Sequence, residues 1–158
     1  MQALKQNISR IVLFVVLALS LTTASPITIS QLESHFGGKI VQKFGDAIWL
    51  NPDKKSTRVF ISMAYDSKVR SLFDGPIIRS GYRPEFSGLS VQVQMPNGDI
   101  LTYGCLSRIS ASKDQRLRKG QLLGFSGGDG DKCGGSPGIS LYLLRNGVRK
   151  DPMQLNFP

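Results

Sequence analysis

The amino-acid sequence predicts an all-β protein with a single compact antiparallel domain of the sandwich or barrel-like type. Apolar and polar residues alternate over short segments, most clearly at residues 89–95 and 139–143, as they do in strands with one buried face. Turns that contain glycine separate these segments, and beyond residue 24 no stretch shows helical periodicity over three turns. No tandem repeat or linker divides the chain, so we expect one domain.

The first 24 residues are predicted to be a signal peptide. Lys5 and Arg10 give this segment a positive start, residues 11–21 are largely apolar, and small residues follow at 22–24. The apolar run is about half of the ~20 residues that a membrane-spanning helix needs, so we expect no stable membrane span after cleavage. Whether the segment is cleaved or kept as an anchor stays open. The sequence therefore predicts an exported protein, located in the periplasm or outside the cell.

The remaining chain is basic. Residues 25–36 are interpreted as a lead-in and residues 37–158 as the domain, and without Lys5 and Arg10 the formal charge falls from +9 to +7. A basic exported domain favours anionic envelope polymers or an acidic protein surface as partners, although a solvated basic surface without a partner is an equal alternative. Nucleic acid is not an expected partner, because the basic residues are scattered without interleaved aromatic residues.

Short elements are predicted along the first half of the domain. Residues 31–36 form a helical turn, residues 39–45 and 47–50 form two short strands, and residues 58–63 form an apolar, β-branched strand. The polar segment at residues 51–56 contains a proline and is interpreted as a connection rich in turns.

Two hairpins are predicted in the middle of the domain. The first has a tight turn at residues 73–75 between short strands at 68–71 and 76–79. The second and clearer hairpin joins residues 89–95 to residues 100–104 through a Pro-Asn-Gly-Asp turn, whose glycine suits a positive φ. The solvent-exposed face of its first strand is expected to carry Ser90, Gln92 and Gln94.

Two further features lie in the C-terminal third. A strand is predicted at residues 122–125, and the predicted strand at 137–143 has a second face that carries Gly138, Ser140 and Tyr142 opposite its apolar residues. The two cysteines, Cys105 and Cys133, are predicted to form one disulfide, because the chain is exported.

The order and spacing of several segments resemble the lysostaphin-like (LytM) peptidase domain, the duplicated hybrid motif, from about residue 37 to the end. The matching segments are residues 38–45 to "G-x-I-x-x-x-F-G", 69–77 to "V-x-A-x-x-D-G-x-V", 102–107 to "T-x-Y-x-H-L-S", 117–127 to "V-x-x-G-Q-x-I-G-x-x-G", 137–147 to "P-H-L-H-F-E-I-R-x-N-G", and 151–152 to a closing "D-P".

Members of that family hold zinc and cleave peptidoglycan cross-bridges. Their ligands are the histidine and aspartate of "H-x-G-x-D" and the second histidine of "H-x-H", while the histidine of "Y-x-H-L" and the first of "H-x-H" handle protons and charge. This chain differs at each position. The resemblance places Ser56 and Phe60 at the first two ligands, Cys105 at the "Y-x-H-L" histidine, and Gly138 and Ser140 at the "H-x-H" pair.

The resemblance therefore implies a protein without catalytic residues, metal ligands or cofactor. It is similar to the degenerate LytM factors of Gram-negative cell division, the EnvC- and NlpD-like group, which dock on cell-wall amidases and activate them. The expected function is binding and regulation of a cell-wall hydrolase through the vacated groove. A Cys105–Cys133 bond would cross its centre. The groove floor is expected to carry Ser56, Phe60, Tyr103, Cys105, Gly138, Ser140 and Tyr142.

Other functions remain as alternatives. The groove could hold peptidoglycan without cleaving it, or the protein could retain metallo-endopeptidase activity by a cryptic route. Cys105 and His35 could act as nucleophile and base, or join Cys133 and an aspartate in a new metal site, but they lie in unrelated segments. Ser140 lacks a base that could activate it as a nucleophile. The glycines of residues 127–135 lack the lysine-serine ending of a phosphate-binding loop, so we interpret them as turn residues.

Overall fold

The computed structural model describes residues 25–48, 51–128, 133 and 135–156. The predicted signal peptide at residues 1–24 lies outside the described residues, and so does most of the glycine-rich run at 127–135. Within the part of the chain that is described, no helix is long and apolar enough to cross a membrane.

An α-helix, α1, spans Ile29–Phe36 and precedes the sheet. It begins with a capping box, in which the backbone N–H of Gln31 donates to Thr28 Oγ1 at 3.2 Å and the backbone N–H of Thr28 donates to Gln31 Oε1 at 2.8 Å. Leu32 and Phe36 are buried in the main core. The predicted helical turn is confirmed, and it is longer than expected because the cap lies at Thr28.

The strands form one large antiparallel sheet and a small hairpin, which confirms the all-β fold class. Among the described residues the large sheet has ten strands in the main order β1-β4-β11-β8-β7-β6-β9, with β10 paired to β5 and β8 and β12 paired to β11, while β2 and β3 pair with each other. The strand bounds are β1 Lys39–Gln42, β2 Ala47–Ile48, β3 Asn51–Lys55, β4 Val59–Ser62, β5 Lys68–Arg70, β6 Gly75–Arg83, β7 Gly88–Gln94, β8 Ile100–Ile109, β9 Arg116–Leu117, β10 Leu122–Ser126, β11 Gly138–Arg145 and β12 Val148–Lys150. Short 3₁₀ helices lie at Pro84–Phe86 and Pro152–Gln154.

The strand β11 has a layer of buried side chains on each of its two faces. Its residues Ile139, Leu141 and Leu143 are fully buried in the main hydrophobic core, as the alternation predicts. The other face is also covered, because Ser140 and Tyr142 are no more than 5% exposed. This second layer is where the candidate site lies.

The second predicted hairpin is confirmed, and β7 and β8 pair through it. The turn glycine, Gly98, has φ 86°, a conformation that residues with a Cβ rarely adopt. The prediction of a solvent-exposed face on β7 is wrong for Ser90 and Gln92, which are buried. The Gln92 amide instead donates to Thr102 Oγ1 of β8 at 3.0 Å, because this face lies against the second layer.

Two other sequence interpretations are wrong. The segment read as a turn-rich connection contains β3, a fully exposed strand that pairs with β2. Its polar residues gave no hydrophobic signal, because neither face is buried. The first predicted hairpin does not form either, since β5 pairs with β10 while β6 pairs with β7 and β9.

A bulge in β8 orients the residues of the second layer. Leu89 and Val91 of β7 lie opposite Leu106 and Tyr103 of β8, so β8 contains one extra residue over this interval. Cys105 has φ 62° at this point. Leu106 and Tyr103 both point into the main core, and the sulfur of Cys105 is therefore directed to the opposite face.

Candidate functional site

Three neighbouring strands bring the centre of the candidate site together. Ser140 of β11 lies opposite Phe60 of β4 on one side and opposite Gly104 of β8 on the other. Cys105 follows at the bulge and packs with Phe60 in a small apolar cluster. Phe60, Cys105 and Ser140 are each at most 1% exposed. The centre is therefore a filled interior and not an open floor.

Arg58, the residue before β4, extends its side chain into this centre. Its Nη1 atom donates to Ser87 Oγ at 2.8 Å and to Ser140 Oγ at 3.0 Å. Its Nε atom donates to Gln42 Oε1 at 3.3 Å, and its guanidinium carbon lies 5.3 Å from the centroid of the Phe60 ring. Hydrogen bonds in several directions and a ring face hold a planar guanidinium in one orientation. A fixed positive charge is thus built into the site by the chain itself.

The polar contacts continue from Ser87 to a second guanidinium. Ser87 Oγ lies 2.7 Å from the hydroxyl of Tyr142. The guanidinium of Arg149 lies over the rings of Tyr142 and Phe86, 4.2 and 4.6 Å from their centroids, and its Nη2 donates to the Glu85 carbonyl at 2.9 Å. Burial lowers the pKa of Arg149 from its ordinary value. Tyr142 therefore contacts Arg149 directly and is linked to Arg58 through Ser87.

The predicted disulfide is confirmed. Cys105 and Cys133 are bonded, with their Cα atoms 5.7 Å apart, and the two residues pack with Phe60. The backbone of Gly128 passes so close that a Cβ there would lie 2.5 Å from Cys105 Sγ. The bond therefore joins the middle of β8 to the segment before β11, across the centre of the site.

Ser56 and Tyr103 occupy different surroundings from the other candidates. Ser56 is 3% exposed and its hydroxyl donates to the carbonyl of Arg58 at 3.0 Å, which fixes the approach to β4. Tyr103 points to the opposite face of the sheet and belongs to the main core. Its hydroxyl accepts a hydrogen bond from the backbone N–H of Leu72 at 2.8 Å, and burial raises its pKa to about 12. Tyr103 is thus a core residue on the same face as Leu101, and the bulge after it turns Cys105 to the opposite face.

The residues at the family's ligand positions do not fit a zinc ion. Ser56 and Ser140 offer hydroxyls and Phe60 has no donor atom, whereas protein zinc sites use imidazole, thiolate or carboxylate. A Cβ at Gly138 would collide with the carbonyl oxygen of Ile61 and lie 2.9 Å from Phe60 Cζ, so a longer side chain has no room there. No group of three or more His, Cys, Asp or Glu side chains within the described ranges is arranged to hold a metal ion.

The only histidine of the chain lies in another part of the domain. The ring of His35 is on α1, where its Nε2 atom lies 3.1 Å from the carbonyl oxygen of Arg70 on β5. The sulfur of Cys105 is bonded to Cys133. Neither the cysteine–histidine pair nor the metal site with His35 that the sequence left open is therefore assembled.

Sequence reasoning missed Arg58, Ser87 and Gln42. Arg58 had a usable signal, because counting from Ser56 to Phe60 puts it at the glycine of "H-x-G-x-D", where the family has no side chain. Ser87 gave no signal in the sequence, because its role depends on a left-handed φ of 65° after a 3₁₀ turn and on partners distant in sequence.

Comparisons with known proteins agree with this fold. A family model described as "Peptidase family M23" matches residues 54–152. A curated relative named peptidoglycan DD-endopeptidase ShyC, from Vibrio cholerae, is 27% identical over 133 residues, which are 84% of this chain and 25% of the relative. The chain thus spans about a quarter of the length of that relative.

Solved structures share the fold at low sequence identity. The catalytic domain of lysostaphin from Staphylococcus simulans superposes with a TM-score of 0.66 at 20% identity, over 77% of this chain and 93% of that one. A zinc containing peptidase from Vibrio cholerae gives a TM-score of 0.64 at 19% identity, over 77% and 37%. Csd3 from Helicobacter pylori gives 0.59 at 20% identity, over 82% and 31%.

Proposed function

The chain belongs to peptidase family M23, and we propose that it is a non-catalytic, exported member that binds and regulates a cell-wall hydrolase such as a peptidoglycan amidase, acting as an activator. A chain can keep the fold of a family without its activity, because zinc-dependent hydrolysis requires particular ligand side chains. The partner docks on the face that carries the filled site.

The hydrogen bond between Arg58 and Ser140 is the main observation that supports the proposed loss of catalysis. Ser140 stands at a zinc-ligand position, and its hydroxyl accepts from a guanidinium cation 3.0 Å away. A metal ion in the same space would meet a fixed positive charge, which raises its free energy by Coulomb repulsion. Without a metal, the centre has no Lewis acid and no activated water of the family's kind.

The disulfide supports export and a fixed site. Disulfides persist in oxidising compartments, so the Cys105–Cys133 bond favours the periplasm or the outside of the cell over the cytosol. The bond also occupies position 105, where the resemblance places a catalytic histidine. A rigid, filled centre suits a surface that a partner protein recognises by shape.

A second function, binding of peptidoglycan without hydrolysis, is favoured by the basic charge. Without the predicted signal peptide the formal net charge of the chain is +7, and the curated relative is named for peptidoglycan. Peptidoglycan carries free carboxylates, which a basic domain attracts. Binding to purified sacculi in the absence of any protein partner would favour this function over the first.

The proposal is tested by release of dye from labelled sacculi. The full chain, processed by its export pathway, is added to purified cell-wall amidases, to sacculi alone, and to sacculi with zinc. We expect stimulation of at least one amidase and no release by the chain alone. Release by the chain alone that depends on zinc would establish the metallo-endopeptidase alternative, and no stimulation of any amidase would reject the regulatory function.

A pair of variants locates the docking face. Ser62→Arg adds a charged side chain on β4, directly opposite Gly138 at the edge of the filled site. Asn51→Arg adds the same charge on the exposed strand β3. We expect Ser62→Arg to reduce amidase stimulation about tenfold and Asn51→Arg to leave it within twofold, since interface cores tolerate new charges poorly. Equal effects would place the docking face elsewhere.

A further inference from the structure

A second charged feature lies where α1 packs against β5. The Nε2 atom of His35 on α1 lies 3.1 Å from the carbonyl oxygen of Arg70, the last residue of β5. The Nη1 atom of Arg70 donates to the carbonyl of Gly120 at 3.0 Å, in the turn before β10. Three separate segments of the chain thus place their polar groups side by side.

The side chains of this region are strongly basic. Lys68 and Arg70 are exposed on β5 on either side of the buried Val69. The adjoining turn contributes Arg118 and Lys119, which are also exposed. Beside burial, which is the largest cause, the charges of Lys119 and Arg70 lower the pKa of His35, so both cations lie near its ring. The charges of Arg70 and Lys119 therefore lie near His35, and Lys68 and Arg118 lie on the same two segments.

A carboxylate also lies next to these cations. Asp74 Oδ1 accepts a hydrogen bond from the backbone N–H of Lys119 at 2.6 Å, and this bond shapes the turn. One carboxylate offsets a quarter of the charge of Lys68, Arg70, Arg118 and Lys119 together. The region remains cationic, and its field attracts anions at long range.

A depression beside the cations supplies hydrogen-bond donors. It has a volume of about 360 Å³ and is lined by Ser30, Gln31, Ser34 and His35 of α1. Serine hydroxyls and a glutamine amide can each donate to an oxygen anion, whereas the Nε2–H of His35 is already directed at the carbonyl of Arg70. Lysine and arginine nearby add charge-assisted bonds, which are stronger than neutral ones. The depression thus combines a few neutral donors with the cations that lie near His35.

We propose that this surface, the α1–β5 basic depression, binds phosphate groups of an anionic envelope polymer or lipid headgroup. A phosphate group presents several oxygens and up to two charges, and it matches a concave set of donors bordered by several cations. A lone carboxylate uses two oxygens and one charge and leaves most of these donors unused. The site lies outside the filled centre, and its function does not depend on that of the centre.

Binding of inorganic polyphosphate to the full exported chain, followed by fluorescence anisotropy at several salt concentrations, tests the proposal. The double variant Arg70→Gln/Lys119→Gln removes two charges from the depression. The matched control, Lys54→Gln/Lys55→Gln, removes two charges from the exposed strand β3. We expect the first to weaken binding about tenfold or more and the control to change it less than twofold, because each basic group near an anionic surface contributes roughly fivefold.

Two further measurements keep the outcome decisive. Circular dichroism melting of both variants checks folding, and Lys68→Gln/Arg118→Gln replaces the first pair if that pair fails to fold. Vesicles with phosphatidylglycerol distinguish a headgroup from a phosphate polymer, and purified sacculi free of phosphate polymers test for carboxylates. Equal weakening by the depression and control variants, or equal affinity for phosphate-free sacculi and polyphosphate, would overturn the proposal. Neither result depends on amidase stimulation.

Discussion

The Nη1 atom of Arg58 donates to the Oγ atom of Ser140 at 3.0 Å, although 82 residues separate them in sequence. This bond joins the start of β4 to the middle of β11, and the same nitrogen also reaches Ser87 on the segment before β7. A metal ion in a related protein would join strands in a comparable way through its ligands. Here a side chain of the protein makes the connection.

Replacement of Arg58 by glutamine is expected to lower the free energy of unfolding by about 2 kcal/mol, because it removes charged hydrogen bonds to two hydroxyls. Arg58→Lys should lose nearly as much, since an ammonium group cannot reproduce the planar fork. Urea unfolding under oxidising conditions gives the values, with the exposed Arg79→Gln on β6 as the control. Equal midpoints for the Arg58→Gln and Arg79→Gln variants would contradict this role.

Removal of the disulfide is expected to destabilise the fold by roughly 3 to 4 kcal/mol, the chain-entropy value for a loop of this size. The bonded cysteines, Cys105 and Cys133, are separated by 28 residues. The double variant Cys105→Ala/Cys133→Ala is compared with the parent protein by urea unfolding, with and without dithiothreitol. Reductant should lower the urea midpoint of the parent protein and leave that of the double variant unchanged. A parent midpoint that does not respond to reductant would exclude a stabilising bond.

The variant Gly138→His is expected not to bind zinc and to lose about 2 kcal/mol or more of stability by overpacking. The backbone carbonyl of Ile61 takes the space that a Cβ would need, and Phe60 Cζ would lie 2.9 Å from it. Isothermal titration with zinc and thermal melting provide the measurements. The additional change Phe60→Ala should not restore stability, because the carbonyl stays. Full recovery in that double variant would show that only the ring blocks the position.

The phenol of Tyr103 is expected to ionise only near pH 12, because burial raises its pKa to about 12. Its folded pKa exceeds the ordinary value of about 10, so the stability from the neutral phenol is complete below pH 10 and is lost between pH 10 and 12. The loss amounts to about 3 kcal/mol. Phenolate absorbance of the native protein should contain a late step that Tyr103→Phe lacks. A spectrum without that step would refute the prediction.

Much of the fold is encoded locally, and the centre of the site is not. The β7–β8 hairpin could be predicted because alternation and a turn glycine, Gly98, act within a few residues. The exposed β3 escaped prediction because its partner β2 supplies hydrogen bonds without apolar burial. Arg58 could have been found from its place in the family motif, but its contacts could not, because Ser87 and Ser140, which hold its guanidinium, lie 29 and 82 residues away.

The same limit explains Tyr103 and the disulfide. Alternation along β8 could not reveal the extra residue of the bulge, so Tyr103 was expected on the same face as Cys105. In the structure the two side chains point to opposite faces. The disulfide was predictable from cysteine number and export, because two cysteines allow a single pairing. Its position over Phe60 required the paired strands.

At the bulge the direction of the Cys105 side chain does not follow the alternation of the strand. The extra residue and the φ of 62° set the direction of the side chain, and the amino acid sets only its chemistry. One substitution at such a position can therefore exchange an imidazole for a sulfur while the backbone path is retained. In this chain the same direction lets Cys105 close the centre covalently with Cys133, beside the hydrogen bonds that Arg58 makes from the start of β4.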